Sequence, residues 1–135
     1  MTKTYVAVLD GVPATTEGAV DLPLGKVSSA EEGWRMIHDP KGRPSISHWR
    51  VAEVRDGRAV VVFTPETGRT HQLRVHAADG IGIPIAGDPV YGAGKGPMLL
   101  HALSLRVERK GKPPIEATAP LPPTFVNAGF GDVRL

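Results

Sequence analysis

The sequence has no cysteine, which excludes disulfide scaffolds, thiolate zinc sites and thiol nucleophiles. Aromatic residues make up only 5% of the chain, so Trp34 and Trp49 read as packing residues rather than as a stacking platform for bases. No apolar run approaches the roughly 18 residues that a membrane-spanning helix needs, and no signal peptide opens the chain. A cytoplasmic location without a membrane partner is therefore expected. No serine stands in a G-x-S-x-G context, so a hydrolase triad has no support. His71 and His76 lie five apart and face different ways on a helix, which argues against a metal pair.

What remains is ordinary for a globular domain: 135 residues, 41% hydrophobic and 22% charged, with a net charge of +2. That length suits a single domain over residues 1–135. The charge is unevenly spread. Residues 1–34 set Lys3 and Lys26 against Asp10, Glu17, Asp21, Glu31 and Glu32. Residues 41–74 carry Lys41, Arg43, Arg50, Arg55, Arg58, Arg69 and Arg74, and residues 95–112 carry Lys95, Arg106, Arg109, Lys110 and Lys112. A basic stretch of this extent is compatible with a nucleic-acid partner.

With 16 glycines and 13 prolines spread evenly, many short elements joined by turns are expected. Residues 3–12 alternate Tyr5, Ala7 and Leu9 with Val6 and Val8, apolar on both sides, which predicts a strand covered on both faces. The β-rich runs 46–55 and 58–65 flank Asp56-Gly57, a strong two-residue hairpin signal. Residues 99–109 read as a strand, and Lys110-Gly111-Lys112-Pro113 turns the chain into a shorter one at 115–119. A helix is predicted from Thr70 to Ala78, with Thr70 as N-cap and Gly80 just past its end. A second is expected at 29–38, capped by Ser29 with Glu31 and Glu32 in its first turn. The fold class is α+β, a mixed and mostly antiparallel sheet with one or two short helices.

The stretch 68–91, GRTHQLRVHAADGIGIPIAGDPVY, carries most of the chemistry. Arg69-Thr70-His71-Gln72 opens a helix, where basic side chains and free backbone N–H groups favour an anion. Arg74 has no carboxylate one turn away on its own helix, so its partner must come from another segment or a ligand. His101, on an apolar strand face, reads as a hydrogen-bonded core histidine. GAGKG at 92–96 lacks the Ser or Thr and the glycine spacing of a phosphate loop and reads as a flexible insertion.

GRTHQLRVH at 68–76 with GDPVYG at 87–92 closely resembles a signature motif of the RluA-like, large-subunit-ribosomal-RNA family of pseudouridine synthases. KTYVAVLDG at 3–11, PKGRPSISHWRV at 40–51, LLHALSLRV at 99–107 and TAPLP at 118–122 resemble further family segments in the same order. The resemblance implies isomerisation of uridine to pseudouridine in ribosomal or transfer RNA, with no cofactor and no metal. It makes Tyr5 the tyrosine that stacks on the target base. It makes Arg74 the arginine that pairs with a nucleophilic aspartate. Arg69, His71 and Gln72 fall where the family's motif frames the active-site helix, and with the basic residues Lys41, Arg43, Lys110 and Lys112 they are the expected RNA contacts.

One departure stands out. The family's nucleophile sits in an R-L-D-x-x-T-S-G motif ahead of the K-x-Y strand, and none of Asp10, Asp21, Asp39, Asp56, Asp79, Asp88 and Asp132 has that context. Asp88 reads instead as a capping or turn residue. The chain accordingly resembles the C-terminal part of a synthase catalytic domain, completed by a separate N-terminal chain or self-associated through an uncovered edge. The alternative is a non-catalytic RNA-binding remnant, and a bland interaction module comes third.

Overall fold

The computed structural model describes residues 1–31 and 33–135. Among them eight strands form: β1 (Thr2–Leu9), β2 (Glu17–Asp21), β3 (Leu24–Ser29), β4 (Gly33–His38), β5 (Ile46–Arg55), β6 (Arg58–Pro65), β7 (Leu100–Arg109) and β8 (Lys112–Thr118). A short helix α1 (Gln72–Val75) runs into a wider π-helical turn at His76–Ile81, and a second helix α2 spans Pro123–Asn127. Six strands make one sheet in the order β2-β5-β6-β1-β7-β8, and β3 and β4 form a separate hairpin. Every pairing among the described residues is antiparallel.

The two-faced strand is borne out. Ala7 and Leu9 join Val61, Phe63, Leu73, Ala77 and Ile85 in one core cluster. Val6 and Val8 join Val60, Leu99, Phe125 and Phe130 in the other. Period-two alternation on β1 and β6 thus divides the apolar side chains between two layers, α1 covering one and α2 the other. The Asp56-Gly57 turn is also as read: φ is 49° at Asp56 and 75° at Gly57, the positive values that a type I′ turn requires.

Residues 29–38 do not form a helix. Leu24 through Ser29 pair residue by residue with His38 back to Gly33, and Glu31 lies in the connecting turn. Glu32, expected in a first helical turn, lies outside the described residues. The reason is tertiary: Trp34 stacks on His71, and the Met36 N–H donates to the Tyr91 hydroxyl. Both contacts tie the segment to residues far along the chain, and the Met36 N–H is free to reach Tyr91 because it is not spent inside a helix.

The helix around Arg74 also departs from expectation. Its N-cap is His71, in left-handed backbone with φ 56° and no capping side chain. It ends at Gly82, with φ 87°, rather than at Gly80. At Gly80 the backbone runs hard against the Val20 side chain of β2, so close approach, not a cap, is what a glycine serves there.

A buried polar network fastens this helix to the sheet. His76 and Ser47 are fully buried. The imidazole contacts Ser47 Oγ at 2.8 Å through Nδ1 and the Leu22 carbonyl at 3.0 Å through Nε2. A carbonyl only accepts, so Nε2 carries the proton and Nδ1 accepts from the Ser47 hydroxyl. Gln72 donates to Ile46 O and Ser47 Oγ, while its Oε1 accepts from Thr67 Oγ1 and the Arg69 N–H. Burial pushes the His76 imidazole below its ordinary value, against the pull of the Leu22 carbonyl. The unfolded chain therefore takes up the proton more readily. Stability is full above about pH 6.5, the ordinary histidine value, and is lost as pH falls below it. Thermal unfolding should show a melting temperature that drops below about pH 6.5, and His76→Gln should reduce the drop.

Candidate active site

Tyr5 is the last member of the Tyr5–Ala7–Leu9 row on β1. Ala7 and Leu9 lie beneath the helix and are buried, whereas Tyr5 stands partly buried at the edge of the same cluster. The next strands hold it there: Tyr5 faces Phe63 on β6 and Ala102 on β7. Its neighbour across the edge is the start of α1. Tyr5, Lys3, Thr67, Arg69, His71 and Arg74 line one cleft of about 310 Å³, closed below by Leu73 and Leu100. That volume falls in the usual range for small-molecule sites, about 300–1,000 Å³. The two residues that the resemblance singles out, Tyr5 and Arg74, thus share one cleft.

Arg74 has a partner within the chain. Its Nε donates to Asp88 Oδ2 at 3.0 Å and its Nη2 to Asp88 Oδ1 at 2.8 Å. This corrects the expectation that its carboxylate had to come from a missing motif; the alternative, another segment of the chain, holds. Asp88 is fully buried and also accepts the N–H groups of Val90 and Tyr91, so the turn role read for it holds as well. Burial alone would raise its carboxyl; the Arg74 guanidinium and the two N–H groups outweigh that and hold it below the usual carboxylate range. The pairing uses one edge of the guanidinium. Nη1 and the second Nη2 proton find no acceptor among the described residues and remain available at the cleft. The Tyr91 ring lies 5.1 Å from the guanidinium carbon, a cation–π contact.

The glycine before Asp88 is a geometric necessity. Gly87 has φ 79°, and a Cβ there would collide with the Pro97 carbonyl. Only glycine lets the loop pass close enough for Asp88 to reach Arg74.

The remaining predicted residues divide. Arg69 lines the cleft, with its Nε anchored on the Pro44 carbonyl at 3.0 Å. Arg43 joins Lys26 and Arg69 around an adjoining groove, and Lys41 is exposed on the turn before it. Gln72, grouped with RNA contacts by the resemblance, is buried and spends its whole amide inside the protein. Lys110 and Lys112 flank the tip of the β7–β8 hairpin. At about 3.3 Å per residue they stand roughly 25 Å along the strand from Ala102, the partner of Tyr5. They do not belong to the cleft. Tyr91 and Trp34 went unread as site residues. Tyr91 closes the GDPVY motif, and its value emerges only once β4 is known to be a strand.

No carboxylate lines the cleft among the described residues. Asp88, held by Arg74 and two backbone N–H groups, is buried and fully engaged, which disqualifies it as a nucleophile in this conformation.

The model of the RNA pseudouridylate synthase family matches residues 1–79. The chain belongs to that family. An uncharacterised RNA pseudouridine synthase of Zymomonas mobilis is 53% identical over 132 residues, covering 95% of this chain and 60% of that protein. Ribosomal large subunit pseudouridine synthase C of Buchnera aphidicola is 36% identical over 135 residues, covering 91% and 42%. Among solved structures, human RNA Pseudouridylate Synthase Domain Containing 1 superposes with a TM-score of 0.73 at 31% identity, covering 88% of this chain and 54% of that one. The chain thus spans three-fifths or less of the length of these relatives.

Removing one partner of a buried ion pair strands the other charge and costs about 3–5 kcal/mol. Arg74→Ala should therefore destabilise the fold by about 3 kcal/mol or more, read as a lower urea midpoint. Arg74→Lys keeps the charge but cannot offer two parallel donors, and should recover only part of the loss. An unchanged midpoint for Arg74→Ala would contradict the pairing.

Proposed function

We propose that this chain is the tyrosine- and arginine-bearing part of an RNA pseudouridine synthase catalytic domain, acting on uridine in ribosomal or transfer RNA. The observation that carries the reading is the convergence of Tyr5 and Arg74 on one cleft that holds no carboxylate of its own among the described residues. In the reaction, the bond from the ribose to N1 of uracil breaks, the base turns, and a bond from the ribose to C5 forms. The C5 proton is lost and N1 gains one. The target nucleotide must leave its stack to reach such a cleft. Tyr5 supplies a flat face for the extruded base, and the free edge of Arg74 supplies two donors for the nucleophilic carboxylate, keeping it ionised and aligned.

The aspartate is supplied by a segment carrying the R-L-D-x-x-T-S-G motif, in the same polypeptide or in a separate one. Two features support a docking surface for it. β8 is an outer strand of the sheet, with Ile115 half exposed. A second groove, lined by Leu103, Leu105 and Ala117, adjoins the cleft and shares Lys3 and Tyr5 with it. Such an edge and apolar surface invite further chain.

The test is release of tritium from RNA containing 5-tritiated uridine. The chain alone should release none, and adding the motif-bearing segment should restore release that Tyr5→Ala or Arg74→Ala abolishes. Turnover by the chain alone would assign the nucleophile to one of its own aspartates.

RNA affinity separates from turnover. If Lys41, Arg43 and Arg69 meet phosphates, binding weakens with salt, and the log–log slope should flatten by about 0.7–0.9 for every phosphate left without its cation. Lys41→Ala and Arg43→Ala should each do so on a short RNA spanning the cleft. Lys110→Ala should change the slope only on RNA long enough to reach the hairpin tip.

A further inference from the structure

His71 carries three unusual constraints at once. Its backbone is left-handed, φ 56° and ψ 17°, and the only other non-glycine with positive φ among the described residues is Asp56, which a tight hairpin explains. A left-handed non-glycine residue is strained, and such strain persists only where surroundings impose it. The imidazole lies nearly parallel to Trp34, ring centroids 4.8 Å apart at 20°. Its Nδ1 stands 2.8 Å from the Tyr91 hydroxyl.

These contacts fix a tautomer. The Tyr91 oxygen accepts the Met36 N–H at 2.9 Å, and the only acceptor within reach of its own proton among the described residues is His71 Nδ1. Nδ1 is then the acceptor, and the imidazole proton sits on Nε2. Tyr91 is itself held, by its N–H on Asp88 and by the guanidinium of Arg74 over its ring. Nε2 has no partner among the described residues, and His71 lines the cleft with Tyr5 and Arg74.

The geometry points to His71 as a binding residue whose Nε2–H donates to a carbonyl oxygen of the uracil in the cleft, with Tyr91 and Trp34 as positioning residues that fix its tautomer and ring plane. This rests on the cleft receiving a uridine, as proposed above. A carbonyl fits better than a phosphate, because the imidazole stays neutral: burial lowers its pKa, and the Arg74 guanidinium beside it adds to that, outweighing the weaker pull of Asp88. An uncharged donor suits an uncharged acceptor, and the anion-binding capacity of the cleft resides in Arg74 and Arg69.

Long-range proton–nitrogen NMR of histidine-labelled chain reads the tautomer directly. His71 should show a protonated Nε2 and an unprotonated Nδ1 near neutral pH, and Tyr91→Phe should give a mixture of tautomers. A protonated Nδ1 in the unaltered chain overturns the proposal. Saturating uridine should then shift the His71 Nε2 signal, whereas inorganic phosphate at the same concentration should not; a phosphate response alone overturns the carbonyl assignment. His71→Phe, which keeps the stack on Trp34, should weaken uridine binding about three- to tenfold, the usual loss for one hydrogen bond. His71→Asn, which tolerates the left-handed backbone, should weaken it similarly and guards against misfolding of the first variant. Uridine that shifts Tyr5 and Arg74 but leaves His71 unmoved defeats this inference and spares the functional reading. Uridine that shifts none of the three defeats both.

Discussion

The two-pronged bond between Arg74 and a fully buried Asp88 is what the functional end of the molecule hangs on. A buried carboxylate is tolerable only with its oxygens satisfied, and Asp88 meets that condition with one guanidinium edge and two backbone N–H groups. In doing so it sets three things at once: the direction of Arg74, the path of the loop after Gly87, and the place of Tyr91. Through Tyr91 the same bond reaches His71 and the β3–β4 hairpin. One ion pair thus couples a helix, a loop and a hairpin that are far apart in sequence.

The lower anchor is of a different kind. His76, Ser47, Gln72 and Thr67 form a closed set in which the donors and acceptors are matched. It fastens the inner side of the same helix to the start of β5. Satisfied buried networks rigidify their surroundings, whereas half-satisfied ones destabilise them. Between the two anchors, the short run from Arg69 to Arg74 has little freedom. That rigidity suits a site whose task is to hold planar groups in fixed register.

Much of the sheet was legible because its signals are local. Two-sided apolar alternation on β1, the Asp-Gly turn and the Lys-Gly turn each follow from adjacent residues, and the structure bears them out. The segment 29–38 was not legible, since its glutamates and serine imitate a helix start while its docking depends on His71 and Tyr91, far along the chain. The π-helical turn was likewise invisible, and so was the close approach of Gly80 to Val20 of β2, a contact between distant segments. α2 could have been found: Pro at the first helical position after Leu121-Pro122 is a start signal. In the site, Tyr5 and Arg74 were carried by motif. The partnership of Arg74 with Asp88 was open from sequence alone, because 14 positions and a reversal of chain direction separate them.

The central place of β1 has a consequence for how the chain is made. β1 pairs on one side with β6 and on the other with β7, so both of its hydrogen-bonding edges await segments synthesised much later. Until those emerge from the ribosome, Val6, Ala7, Val8 and Leu9 form an apolar stretch with neither edge nor face covered. Such a nascent strand is exposed to mispairing for as long as synthesis of the remainder takes, seconds at about 5–20 residues per second. The centre of the finished sheet is thus the strand whose two partners come latest after it along the chain.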